Sequence, residues 1–177
     1  MQSPLIKKSR PVLPANIKKL LLRAGILFAA WSLLYYAFLQ PVGIPDQQLT
    51  DIVLRGTMTL LSGFYQNVYQ EGNSIFLNGI RSVNIAPQCN GLELMVLYVG
   101  FLLIMPATAK RMLAFSVTGV FLIVVLNVLR CALLAWLYLQ NVEVADIAHH
   151  YIFKLAIYGV VFYCWMLYTR TVTIDAK

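Results

Sequence analysis

Four apolar runs divide the chain, at Leu20–Leu39, Leu92–Met105, Met112–Leu139 and Ile147–Tyr168. A helix needs about 20 apolar residues to cross a hydrocarbon core of about 30 Å. The second run approaches that length only when it is extended back through Gly91 to Cys89. The pattern predicts spans at about 20–39, 90–106, 112–139 and 147–169. Residues 41–88 are less apolar. Within them, "DIVLRGTMTLLSGFYQNVYQ" (Asp51–Gln70) predicts an amphipathic helix at the interface. "SIFLNGIRSVNI" alternates about Asn78-Gly79, a pair favoured in two-residue hairpin turns. The expected fold is an all-α integral membrane protein: a bundle of about four transmembrane helices with a small extracytoplasmic hairpin or amphipathic insertion. One transmembrane domain (20–170) is expected between a basic tail (1–19) and a short tail (171–177). No internal repeat is seen.

Composition agrees with this reading. Of 177 residues, 60% are hydrophobic and 12% charged, whereas soluble domains carry about 25% charge. The net charge of +7 does not mark a nucleic-acid binder, because it lies in tails and short loops beside apolar runs. No phosphate loop, zinc-finger spacing or RNA-binding motif occurs. Lys7, Lys8, Arg10, Lys18, Lys19 and Arg23 precede or enter the first run, Lys110 and Arg111 separate the second from the third, and Arg170 and Lys177 follow the fourth. Residues 41–88 carry Arg55 and Arg81 against Asp46, Asp51 and Glu71, and the 140–148 loop holds Glu143 and Asp146 without a base. The positive-inside rule therefore predicts both termini in the cytoplasm and 41–88 outside. The first run is long for a signal peptide and ends in "LQPVGIPD", without a small-residue cleavage site. It is expected to stay as a first helix, with disorder before Pro14.

Candidate chemistry comes from polar residues that share a depth. At about 1.5 Å per residue, Cys89 lies roughly 26 Å above Pro106, Arg130 roughly 29 Å above Arg111, and His150 roughly 30 Å above Arg170. Three helices thus bring a thiol, a guanidinium and an imidazole to the outer boundary. An arginine at the centre of a span costs about 2.5–3.5 kcal/mol, so Arg130 should face the bundle or a wet cavity. The alternative is an arginine snorkelling to the outer headgroups. Asn127 shares its helix face. His149 and His150 open the fourth run, and Lys154 lies four residues after His150. Unpartnered, such a pair reads as an interfacial cap; beside Cys89 and Arg130 it reads as chemistry.

Cys89 alone would read as a small buried residue. Before the turn pair Asn90-Gly91 it is expected at a helix start, where the helix dipole and a neighbouring cation favour the thiolate. An adjacent imidazole can take the thiol proton and return it to a leaving amine. The chemistry implied is acyl transfer by cysteine. Glu93, four residues on, can pair with Arg130 or Lys154 or orient a histidine, with structural pairing ranked first. Cys131 and Cys164 lie within apolar runs, and neither a disulfide framework nor a metal site is expected.

In order and spacing, "CNG" at Cys89, "NVLR" from Asn127 to Arg130, and "HHYIF" from His149 resemble the exosortase/archaeosortase family. The Pro106–Arg111 turn also looks like the family's pattern. The resemblance covers roughly residues 85–168, and the chain is similar to the short, single-module forms. It implies a bacterial, multi-span protein of the cytoplasmic membrane acting as a cysteine transpeptidase or protease without a cofactor. Its implied partners are lipid and an exported protein ending in a short motif, an apolar helix and a basic end. The implied residues are Cys89, Arg130 and a histidine, His150 being preferred because it leads directly into the apolar run, and His149 the alternative. Asn90 departs from the family's small residue after the cysteine. The competing reading is a non-enzymatic membrane subunit or assembly factor that keeps the fold. A haem or metal carrier lacks a second ligand pair, and adjacent histidines on a helix point about 100° apart.

Overall fold

The computed structural model describes residues 15–105 and 107–175. The segment before Pro14, where disorder is expected, lies outside the described residues, as does Pro106. Helix α1 (Ala15–Leu34) continues through a π-helical turn, Tyr35–Leu39, into the short α2 (Gln40–Val42). The wide turn accommodates Pro41, which lacks an N–H and crowds the carbonyl four residues back; Gln40 N bonds instead to Tyr35 O, five residues away.

Helix α3 (Asp46–Ser62) buries Asp46, Thr50, Val53, Leu54, Thr57 and Leu61, which lie on one helical face. The amphipathic helix thus begins five residues earlier than predicted and ends at Ser62. Its apolar face packs on protein: a Cβ on Gly56 would stand 2.8 Å from Val128. Beyond Ser62 the predicted helix gives way to a strand. Strands β1 (Val68–Glu71), β2 (Ser74–Leu77) and β3 (Ile80–Asn84) form an antiparallel meander in that order. The β2–β3 hairpin closes at Asn78 (φ 54) and Gly79 (φ 83), with Leu77 opposite Ile80. Two left-handed residues are what a type I′ turn requires.

A 3₁₀ turn, Pro87–Cys89, leads to α4 (Leu92–Ile104). Thirteen residues reach only about 20 Å. The predicted second span is therefore shorter than a full crossing. Gly91 (φ 87) bars helix before Leu92, and Met105 is extended (ψ 130), as a residue before proline must be. Among the described residues, three helical stretches are long and apolar enough to cross a membrane: Leu21–Val42, Ala109–Gln140 and Val142–Arg170. The second is α5 (Ala109–Gln140). The third comprises α6 (Val142–Ile147), a π-helical turn Ala148–Ile152, and α7 (Phe153–Asp175) as far as Arg170. Asn141 caps α6, its side chain accepting from the N–H groups of Glu143 and Val144.

Two cores share α5. Near its C-terminal end, Cys131, Ala132, Leu134 and Ala135 pack against α3, β2 and β3. The small side chains let the sheet and α3 approach closely and form a cap. Nearer its N-terminal end, Ile123 packs with Met95, Tyr98 and Leu102 of α4 and Val161 and Tyr168 of α7. Tyr98 lies over Gly119 and donates to Phe115 O at 3.0 Å. Lys18, Lys19, Arg23, Lys110, Arg111 and Arg170 lie towards the end away from the cap, while Asp46, Asp51, Glu71, Glu143 and Asp146 belong to the cap and its neighbouring loop, with Arg55 and Arg81 as the cap's bases. The loop-by-loop charge bias is thus a bias between the two ends of one bundle.

Candidate active site

The turn carrying Cys89 lies where the two cores meet. Cys89 N bonds to Ala86 O (2.8 Å) and Asn90 N to Pro87 O (3.2 Å), closing the 3₁₀ turn. Gly91 then takes a left-handed conformation, and a Cβ on it would overlap Asn127 Nδ2. Asn127 is buried and spends a side-chain hydrogen on Ile123 O (2.9 Å). It serves as the wall against which the turn is pressed.

Three turns of helix above Gly119, Arg130 reaches the same level. One terminal nitrogen of its guanidinium donates to Cys89 Sγ at 3.7 Å and lies 3.5 Å from His149 Nδ1. A guanidinium has no acceptor, so Nδ1 must accept here, which places the ring's proton on Nε2. The two hydrogens of that nitrogen therefore join thiol and imidazole. Arg130 Nε is buried and without a hydrogen-bond partner among the described residues. A donor left in that state favours any acceptor that can reach it.

His150 turns the other way. It is exposed, with Nδ1 2.9 Å from Asp146 O and 3.8 Å from Asp146 Oδ1. Of the two histidines named from the sequence, the one beside Arg130 is therefore His149, the alternative, and not His150. The π turn sets the two rings nearly perpendicular, 5.1 Å apart. Lys154 and Glu93 line the same cavity, both exposed. Glu93 forms no ion pair with Arg130 or Lys154 among the described residues, so the pairing expected for it is not made. Cys131 is buried in the cap core, Cys164 packs against the other core, and all three cysteines are free.

The cavity before Cys89, Arg130 and His149 measures about 590 Å³. Below it, an apolar groove of about 570 Å³ runs between α1, α4 and α7, floored by Gly100 and flanked by Trp31 and Trp165. Tyr35, Glu93 and Tyr158 line both, so the two spaces adjoin.

Sequence reasoning missed the polar cluster behind the turn. Asn90, buried, donates through Nδ2 to Asp46 Oδ1 (2.8 Å) and Asp46 O (3.2 Å), and its Oδ1 accepts from Leu92 N (2.8 Å). Asp46 Oδ2 accepts from Tyr35 Oη at 2.7 Å. In the sequence Asp46 reads as an ordinary first-turn acid and Tyr35 as an interfacial aromatic; only the departure at Asn90 was a signal.

Compared with known proteins, the chain matches a family model described as Transmembrane exosortase (Exosortase_EpsH) over residues 14–167. No curated protein and no solved structure matches it.

Proposed function

The chain belongs to the transmembrane exosortase family, and from that premise we propose that it is a membrane-embedded cysteine transpeptidase or protease. In this reading it cleaves C-terminal sorting tails of exported proteins at the outer face of the cytoplasmic membrane. The observation that carries the proposal is the guanidinium of Arg130 joined to both Cys89 Sγ and His149 Nδ1.

Cys89 Sγ attacks the carbonyl carbon of the scissile peptide bond as its proton passes to His149 Nδ1, the ring's one acceptor, which gives up its hydrogen bond from Arg130 in the same step. Arg130 holds negative charge on the sulfur and then on the carbonyl oxygen of the tetrahedral intermediate. The C–N bond breaks, the leaving amine takes the proton from His149, and a thioester to Cys89 remains. Water or an acceptor amine then attacks the thioester and frees the thiol. The apolar groove supports the substrate class: an apolar tail helix lying along α1, α4 and α7 would lead its preceding peptide into the polar cavity.

The test is tail removal in cells. Cys89→Ala should abolish it at normal expression, while Cys131→Ala and Cys164→Ala should retain it. Full processing by Cys89→Ala would reject the enzymatic reading in favour of a non-enzymatic assembly factor.

A further inference from the structure

The Cys89 turn is pressed against Asn127 on one side and tied to a carboxylate on the other. Asp46 is 44 residues before Asn90 in sequence and only 8% exposed, and Asn90 is 1% exposed. All three polar functions of the Asn90 amide are used: both Nδ2 hydrogens on Asp46, and Oδ1 on the N–H that opens α4. Asp46 is in turn fixed by Tyr35 at the π turn of α1. Three segments meet at one carboxylate, directly behind the residue that follows the thiol. None of these groups touches Sγ, Arg130 or His149 through a hydrogen bond.

We propose that Asp46 is a positioning residue for Cys89, holding Asn90 and hence the turn at the height where Sγ meets Arg130, with Tyr35 fixing the carboxylate. A buried, fully satisfied network of this kind specifies one geometry. Without it, the short 3₁₀ turn keeps its two backbone bonds and its seat against Asn127 but loses the tie on the opposite side, and Sγ can move away from its place 3.7 Å from the guanidinium. The inference rests on the reading of Cys89 as the nucleophile, but its test does not use substrate cleavage.

The measurement is the rate of Cys89 alkylation by iodoacetamide in the purified full-length protein at fixed pH, resolved from Cys131 and Cys164 by mass spectrometry, with thermal melting of the same samples. Arg130→Gln removes the cation beside the thiol and should slow alkylation about fivefold or more. Asp46→Ala should slow it comparably, and Asp46→Ala with Arg130→Gln should be no slower than either alone, because both remove the same contact. A residue that only stabilises the fold would lower the melting temperature and leave this coupling unchanged. If Asp46→Ala does not fold, Tyr35→Phe carries the same cycle, with a slowing of about two- to threefold from loss of one hydrogen bond. Wild-type alkylation in a folded Asp46→Ala or Tyr35→Phe protein overturns the proposal, as do effects that multiply with that of Arg130→Gln. Cys89→Ala with full tail processing in cells would instead reject the nucleophile reading and leave the alkylation cycle standing.

Discussion

Replacing Gly91 by alanine probes how the Cys89 turn is seated against α5. The residue has φ 87, and an added Cβ would overlap Asn127 Nδ2 and stand 3.3 Å from Ile123 Cγ2. The left-handed conformation costs an L residue about 1–2 kcal/mol. Overpacking a filled site costs about 1–3 kcal/mol more. The sum, about 2–5 kcal/mol, is a large share of a typical stability of about 5–15 kcal/mol. It corresponds to a fall in melting temperature of about 4–20 °C for a chain of this size. The two contributions separate in a double-mutant cycle. Asn127→Ala makes room for the new methyl but leaves the backbone strain, so Gly91→Ala with Asn127→Ala should be more stable than the summed single effects by about 1–3 kcal/mol. Thermal melting of the detergent-purified proteins supplies all four values. A Gly91→Ala protein as stable as wild type, or strictly additive single effects, would refute the close approach of the turn to α5.

Arg130→Lys should insert and fold yet lower tail cleavage at least tenfold, since lysine keeps the charge and loses the fork; Arg130→Ala should lower it at least as much. Cleavage by Arg130→Lys at the wild-type level, at matched expression, would instead support a snorkelling arginine. His149→Ala should cost about 100-fold or more in cleavage if the imidazole carries the proton, whereas His150→Ala should remain near wild type; the reverse order would return the role to His150. Single cysteines at Asn73 in the β1–β2 turn and at Ala109 at the foot of α5 should respond oppositely to an impermeant thiol reagent in intact cells, Asn73 reacting and Ala109 not. Labelling of Ala109 alone would turn the bundle over and place the Cys89 cavity in the cytoplasm.

Reading the chain residue by residue reached the long apolar helices and the hairpin at Asn78-Gly79, because both signals are local. It also brought Cys89 and Arg130 to one level by counting helical rise. The count for Cys89 assumed unbroken helix down to Pro106, whereas a 3₁₀ turn and Gly91 intervene; the thiol meets Arg130 because α4 is short and its entry turn packs on α5. Strand β1 was hidden in the tail of an amphipathic pattern, since Val68–Glu71 is strand only through its pairing with β2. The Asp46–Asn90 contact joins residues 44 apart, and no local period carries information over that distance.

The two histidines face different ways for a reason that reaches beyond them. A π turn is a helical turn holding one residue more than the i→i−4 ladder accommodates. The helix before Ala148 and the helix after Ile152 are therefore out of phase, and a face traced upward from Arg170 at 3.6 residues per turn does not continue through the turn. Counting by that rule aligns His150 with Lys154, whereas the ring beside Arg130 is that of His149. What aims the imidazole at Arg130 is an extra residue in the count, so the same side chains threaded through an unbroken α-helix would present a different ring to the guanidinium.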